Sequence, residues 1–374
     1  MSGSYKKISL ADFARALEGN LDVDHLVMLG AGASQSSGVP TAKDCISEWK
    51  GNIYLSNNPG EVGKLDCQSE EGRQTVQQWI DAQNGFPADE ADDEYEFYAE
   101  KAYINNELRR NYFEGLVTDA EPGVGYKILA LLAEHGVIRI VLTTNFDGLA
   151  AEAMNDNGLH PREVTIETSE LIHMPMRRKD RFHIALHGDY KYGKLKNTGE
   201  ELDTQQDDFK VGLRIHLYNK HLIVMGYSGR DKSLMTAIED AYLQEEKGRG
   251  ILFWCSYSES VSKEVDLLLK KICAKGREAM LVVAGDFDDS LRSLGRYCFH
   301  SDPSMSSKIG SIAGFAGVDE GEVKVDEIEV IAAPISDDVA SIDAEIEGLS
   351  AEAKDAMAFA TLVGGWTEGE ADES

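Results

Sequence analysis

The sequence predicts an α/β fold, namely a doubly wound and mainly parallel sheet of the Rossmann-like type. Two observations lead to this prediction. Short apolar runs alternate with helical patterns along the chain, and glycine or small polar residues directly follow several of these runs. Ligands of such sheets bind at the carboxyl ends of the strands. The residues that follow the predicted strands are therefore the first candidates for a functional site.

Six apolar runs are predicted to be strands of this sheet: residues 25–29, 137–142, 182–186, 221–225, 250–254 and 279–283. Helices are predicted around and between them. Ser9 and Asp12 have capping-box spacing at the start of a first helix. Residues 231–244 and 261–275 have helical periodicity. Residues 41–134 are mainly helical and predict a helical insertion between the first two strands.

The chain is predicted to form one sheet-containing domain over residues 1–300, followed by an acidic linker and tail over 301–374. Serine and glycine are frequent from Ser301 onward, which is typical of a linker. Residues 319–374 contain 17 acidic residues and 2 lysines, a net charge of −15 out of −29 for the whole chain. This tail is either a regulatory segment or the start of a further domain.

Composition excludes several functional classes. An acidic chain repels the nucleic-acid backbone, so no direct nucleic-acid partner is expected. No apolar run approaches the roughly 18 residues of a membrane span, and the amino terminus lacks a signal-peptide pattern, so a cytoplasmic protein without membrane contact is predicted. The five cysteines contain no C-x-x-C pair, which argues against a disulfide framework and a zinc module; no metal is predicted.

The first candidate motif is the Gly-Ala-Gly-Ala-Ser run at residues 30–34, directly after a predicted strand. Such a turn lets backbone amides approach a pyrophosphate. It departs from the usual dinucleotide fingerprint, because Gln35 stands where a third glycine is expected and no acidic residue closes a second strand. A strand-to-helix turn without a ligand remains the alternative.

Three further segments follow predicted strands: residues 143–147 (Thr-Thr-Asn-Phe-Asp), 186–189 (Leu-His-Gly-Asp) and 226–231 (Gly-Tyr-Ser-Gly-Arg-Asp). Each has a structural alternative when taken alone. Asparagine and aspartate readily form Asx turns and helix caps, a histidine is often structural, and a Gly-Ser turn is a common entry to a helix. Their order along the chain and their shared position after strands favour a joint function.

In combination, these segments resemble the sirtuin-like fold in its bacterial, defence-associated form, over roughly residues 20–300. The resemblance implies that NAD+ is bound as substrate. It implies catalytic roles for Asn145, His187 and Asp147. It also implies NAD contacts by Gly30, Ala31, Gly32, Ser34, Pro40, Thr144, Gly226, Ser228 and Asp288.

The departures from protein-deacetylating sirtuins bear on the reaction. Those proteins have Asp-Phe-Arg where Pro40 is followed here by Thr-Ala-Lys, glutamine where Thr144 stands, and a zinc module. The resemblance therefore implies an NAD+ glycohydrolase that releases nicotinamide and ADP-ribose, as a regulated anti-phage effector that depletes NAD+. The alternatives are a protein deacylase or ADP-ribosyltransferase, and a non-catalytic sensor of NAD or ADP-ribose.

A mechanism follows as a hypothesis. Asn145 orients the ribose and the attacking water, His187 acts as general base, and Asp147 holds the asparagine or its loop. Unrestrained NAD hydrolysis would harm the host, so an off state is expected, released by homo-oligomer assembly, a regulatory partner or a fused sensor domain. Whether the product is linear or cyclic ADP-ribose stays open.

Overall fold

The computed structural model describes residues 4–18, 25–89, 91, 94–164, 179–186, 217, 220–243 and 250–312. In this part of the chain, eight strands form one sheet in the order β1-β8-β7-β6-β2-β3-β5-β4. The strands are β1 Lys6–Ser9, β2 His25–Leu29, β3 Ile138–Thr143, β4 Arg162–Val164, β5 Phe182–Ala185, β6 His221–Met225, β7 Leu252–Ser256 and β8 Ala279–Val283. Every described strand pair is parallel.

The helices are α1 Leu10–Glu18, α2 Ala42–Asn57, α3 Glu70–Asp81, α4 Glu94–Ala102, α5 Asn106–Val117, α6 Val124–Glu134, α7 Leu149–Asp156, α8 Lys232–Leu243, α9 Lys263–Ala274, α10 Phe287–Cys298 and α11 Pro303–Ile312. Side-chain caps explain several starts. At the start of α1, the backbone amide of Ser9 donates to the Asp12 carboxylate and the backbone amide of Asp12 donates to Ser9 Oγ, as their spacing predicts. Thr41 forms a capping box with Asp44 at the start of α2.

The central strands of the sheet are buried on both faces, as is typical of a parallel sheet. Alternate residues of β2 point to opposite sides. Val27 and Leu29 pack with α1, α6, α7, α10 and α11, whereas Leu26 and Met28 pack with α8 and α9. This two-sided covering explains why the central strands read as continuous apolar runs.

Helices α2 to α5 lie between β2 and β3 in the sequence. They form a hydrophobic core of their own, separate from the two cores on the faces of the sheet. It is rich in aromatic side chains, among them Trp49, Tyr98 and Phe113. The buried ammonium of Lys50 lies 2.5 Å from a carboxylate oxygen of Glu94 and joins α2 to α4. Helix α6, although contiguous with these helices in sequence, packs with the sheet core.

The predicted fold class is confirmed, and all six predicted strands are present within two residues of the predicted bounds. Strands β1 and β4 were not predicted. They are the outer strands, each with one neighbour, and so lack the apolar signature of buried strands. No helix within the described ranges has the length and apolarity needed to span a membrane.

The linker predicted from Ser301 is wrong for its first residues, because residues 303–312 form α11. Met305 and Ile309 are one helical turn apart and lie in the sheet core, which outweighs the polar, serine-rich composition of the segment. The acidic tail predicted beyond this helix lies outside the described residues.

Candidate functional site

Three neighbouring strands bring the candidate motifs together. The order β6-β2-β3 places Gly226, Gly30 and Thr144 at adjacent carboxyl ends of the sheet. After β2 the sheet grows in one direction through β3 and β5, and from β6 it grows in the other through β7 and β8. The switch point therefore lies between β2 and β6, where ligands of such sheets bind.

The glycine turn after β2 packs directly on the turn after β6. The amide of Gly30 donates to the Met225 carbonyl at 3.0 Å, and the amide of Gly32 donates to the Gly226 carbonyl at 2.9 Å. A Cβ on Gly30 would lie 2.6 Å from the Gly226 oxygen. Gly226 has φ +66°, and a Cβ there would lie 2.4 Å from the amide nitrogen of Ala33. The glycines are thus required by turn-to-turn packing, a reason that the sequence pattern does not reveal.

Asn145 follows β3 and is held by three hydrogen bonds. Its backbone amide donates to Thr143 Oγ1 at 2.9 Å. Its side-chain Nδ2 donates to the Gly30 carbonyl at 3.1 Å and to Ser34 Oγ at 2.9 Å. Both amide hydrogens are used in this way, so Oδ1 is the polar atom of this side chain left to serve a ligand. The residue is only 7% exposed.

A buried network of hydrogen bonds continues from Asn145 through Ser34 to Asp147 and Tyr126. Ser34 Oγ donates to Asp147 Oδ2 at 2.5 Å and lies 2.7 Å from the Tyr126 hydroxyl. The other carboxylate oxygen of Asp147 accepts from the amide of Leu149 at 3.0 Å and so fixes the start of α7. Burial, and after it the charge of Asp147, raises the pKa of Tyr126 well above its ordinary value. The Tyr126 hydroxyl therefore keeps its proton.

Phe146 connects this loop to the helical insertion. Its ring centroid lies 4.5 Å from that of Phe113 in α5. Because Phe146 stands between Asn145 and Asp147, the aromatic core of the insertion contacts the loop that carries both side chains.

Three other predicted NAD contacts lie in these turns or shortly after them. Thr144 donates its amide to the Leu29 carbonyl at 3.0 Å, which ties the end of β3 to the end of β2. Ala31 begins a short 3-10 turn, and Pro40 follows the buried Val39. All three predicted residues are half-buried.

Asp288 and Ser228 form hydrogen bonds with residues outside the Asn145 network. Asp288 Oδ1 accepts from Ser36 Oγ at 3.0 Å and from the amide of Gly125 at 2.9 Å. It therefore links the segment after the glycine turn to the first turn of α6, where a negative charge is favourable. Ser228 is exposed, and its carbonyl accepts from Ser262 Oγ at 3.3 Å.

His187 lies outside the described residues, so its predicted role stays a prediction. The residue before it, Leu186, donates its amide to the Thr143 carbonyl at 2.8 Å, next to the Asn145 loop. Two other histidines, His25 and His221, stack with centroids 5.2 Å apart at the amino ends of β2 and β6. That end of the sheet is opposite the glycine turns.

Sequence reasoning missed Tyr126. It stands 92 positions from Ser34, and in the sequence it reads only as one apolar residue of α6. Among the described residues, no three His, Cys, Asp or Glu side chains are grouped as ligands for a metal ion.

Comparison with known proteins adds three findings. Residues 139–275 match the family model described as SIR2-like domain. A solved structure described as the crystal structure of a Sir2 homolog–NAD complex is similar to this chain with a TM-score of 0.41 and 13% identity, covering 80% of this chain and 97% of that one. The NAD in that structure belongs to that protein. A search of curated proteins found no match.

Proposed function

We propose that this chain, which carries a SIR2-like domain, binds NAD+ and hydrolyses its nicotinamide–ribose bond. The observation that carries the proposal is the state of Asn145 at the carboxyl end of β3. Its amide hydrogens are both held by the protein beside the glycine turn, and its Oδ1 remains as a fixed acceptor. A fixed acceptor at this edge suits a reaction that builds positive charge on a sugar.

The chemistry needs little acid catalysis. Water adds to the anomeric carbon of the ribose, and the carbon–nitrogen bond breaks. The bonding electrons pass to the nicotinamide ring, which leaves as a neutral molecule, and one proton is released from the water. The sugar gains oxocarbenium character on the way, as in glycoside hydrolysis. Asn145 Oδ1 accepts from the water or from a ribose hydroxyl, which orients the nucleophile and places a negative dipole end by the developing charge.

A general base is assigned to His187 in this proposal. The assignment rests on the Leu-His-Gly-Asp motif after β5 and on the attachment of Leu186 beside the Asn145 loop. A base in this role contributes about 10²–10⁴-fold to turnover.

The glycine turn is proposed to hold the pyrophosphate through a limited set of amides. The N–H groups of Gly32, Ala33 and Ser34 donate to protein carbonyls. Contacts to phosphate are therefore assigned to the amide of Ala31 and to those that open the next turn, Gln35 and Ser36. Because the amides of Gly32, Ala33 and Ser34 are bonded to the protein, the turn keeps its conformation whether or not the other amides bind NAD+.

We place this activity in a regulated, cytoplasmic anti-phage effector, with an off state kept by oligomer assembly or by a partner domain. The proposal is supported by the resemblance of the four motifs to defence-associated sirtuin-like proteins and by the toxicity of unrestrained NAD+ loss.

The deciding experiment is nicotinamide release from NAD+ by the purified full chain over a series of protein concentrations. Wild type and Asn52→Ala, a change at an exposed site on α2, are expected to release nicotinamide, whereas Asn145→Ala is expected to lose turnover. A steep dependence on protein concentration would indicate assembly-gated activity.

Other outcomes favour the alternative functions. Release that requires an acylated peptide or a protein acceptor would indicate a transferase. ADP-ribose binding without release under any condition would indicate a sensor. Full activity of Asn145→Ala would contradict the proposed site.

A further inference from the structure

We infer that Tyr126 and Ser34 are positioning residues that hold the Asn145 amide with Oδ1 as its only free polar atom, and that Ser34 does not touch NAD+. The inference rests on the proposed function for its kinetic consequences. Its geometric part stands on the hydrogen bonds of four buried side chains.

The hydrogen count at Ser34 fixes the direction of each bond. A serine hydroxyl has one hydrogen and two lone pairs. A carboxylate only accepts, so the single hydrogen of Ser34 goes to Asp147 at 2.5 Å. Ser34 must then accept from Asn145 Nδ2 at 2.9 Å and from Tyr126 at 2.7 Å. The Tyr126 hydroxyl is therefore the donor in its pair.

This count leaves Ser34 nothing to give to a ligand. Its hydrogen and both lone pairs are used within the protein, and the residue is 0% exposed. A contact to phosphate or ribose would require breaking one of three buried hydrogen bonds. The resemblance places Ser34 among the NAD contacts, and the observed network gives it a different role.

The same count fixes the orientation of Asn145. Rotation of its amide by half a turn would bring Oδ1 against two acceptors, the Gly30 carbonyl and Ser34 Oγ. Ser34 acts as an acceptor here because its hydrogen is already given to Asp147. The Tyr126 hydroxyl fills the last lone pair, and its ring is fixed against Phe287 with centroids 5.1 Å apart. Loss of that hydroxyl leaves a buried lone pair and loosens the group that orients Asn145.

The first test is Tyr126→Phe, which keeps the ring and removes only the hydroxyl. The matched control is Tyr242→Phe, a fully buried tyrosine of α8 on the opposite face of the sheet. For Tyr126→Phe we expect kcat for nicotinamide release to fall about tenfold, the value of one net hydrogen bond. We expect the Kd of ADP-ribose, a probe that is not consumed, to stay within about twofold because no ligand contact is removed. The control is expected to match wild type.

An unchanged kcat in Tyr126→Phe, or a Kd that weakens in step with kcat, would overturn the inference. Ser34→Ala tests its second half through the same probe. Unchanged ADP-ribose affinity supports a positioning role, and a clear loss of affinity in a folded variant would show that Ser34 is a ligand contact.

A second measurement does not depend on turnover. The side-chain amide of Asn145 is identified by nuclear magnetic resonance as the pair of signals missing from Asn145→Ala. In wild type its two protons are expected to exchange slowly with solvent, and in Tyr126→Phe to lose protection about tenfold. Unchanged protection would overturn the positioning role. If the wild-type protein released no nicotinamide, the proposed function would fail. The exchange measurement would still decide whether Tyr126 positions the Asn145 amide.

Discussion

The amino and carboxyl ends of the central strands β6, β2 and β3 both carry buried polar residues, yet the two ends differ in the hydrogen-bonding capacity that is left for a ligand. At the amino ends, His25 stacks on His221, whose Nδ1 accepts from the Ile251 amide at 3.0 Å. Burial lowers the pKa of His221 to about 4, so His221 is neutral at physiological pH. At the carboxyl ends, Asn145, which follows β3, donates both of its side-chain amide hydrogens to protein acceptors. Its Oδ1 remains as the acceptor for a ligand.

The difference teaches that burial of a polar group does not by itself mark a site. What distinguishes the carboxyl end is a group whose remaining hydrogen-bonding capacity is held in one direction by its neighbours. Four changes test this contrast, and they are ordered by the size of the expected effect.

Asn145→Asp is expected to have the largest effect. It keeps the shape of the side chain but removes both amide hydrogens, so a carboxylate oxygen faces the Gly30 carbonyl and Ser34 Oγ. Turnover is expected to fall about 10²–10³-fold, as when a fixed polar group is lost from an active site. Nicotinamide release measures it, with a thermal melt to verify folding; turnover near that of wild type would remove Asn145 from the mechanism.

Gly226→Ala is expected to lower the free energy of unfolding by about 4 kcal/mol, because it combines a positive φ with overlap against Ala33. Gly38→Ala is the matched control: φ is +82°, but no atom lies within 4 Å of the added Cβ, so about 1 kcal/mol is expected. Urea unfolding compares the two. Equal losses would show that the contact between the turns adds nothing to stability.

His221 is expected to make stability depend on pH. Its pKa of about 4 in the folded protein lies below the ordinary 6.5, so the unfolded chain takes up the proton first as the pH falls. Its contribution is complete above pH 6.5 and is lost between pH 6.5 and 4, by about 3 kcal/mol in total.

His221→Asn keeps an acceptor near the Ile251 amide and removes this titration. Urea unfolding between pH 4 and 7 should therefore show a shallower slope for this variant than for wild type. Nicotinamide release at pH 7.5 is expected to be unchanged. Identical slopes would mean that another group carries the pH dependence.

Asp288→Asn is expected to have the smallest effect. The change weakens the favourable charge at the start of α6, which costs about 0.5–1 kcal/mol of unfolding free energy. The Kd of ADP-ribose is expected to stay within about twofold, since Asp288 binds Ser36 and Gly125. A weakening of ADP-ribose binding about tenfold or more would restore the ligand contact that the resemblance implies.

The sequence predicted the elements that have a strong local pattern of apolar residues. It missed the elements whose own pattern is weak and the contacts between segments that are far apart in the sequence. The central strands were found because both of their faces are buried, while β1 and β4 have one neighbour each and little apolar signal. Helix α11 was missed because two apolar residues, Met305 and Ile309, are enough to dock it.

The same distinction applies to the site. The positions of Gly30, Asn145 and Gly226 after strands could be predicted, because strand ends are visible in the hydrophobic pattern. The turn-to-turn contact and the donation by Tyr126 could not, because they join segments far apart in sequence. Which atoms of Asn145 remain available follows only once those partners are known.

The contact between Phe146 and Phe113 has a consequence for how this protein can change over evolution or in engineering. The ring of Phe146 belongs to the insertion, while the backbone on either side of it belongs to the loop of Asn145 and Asp147. A deletion or replacement of the insertion would leave an aromatic side chain exposed at the heart of that loop. The inner surface of the insertion must therefore vary together with the loop that it supports.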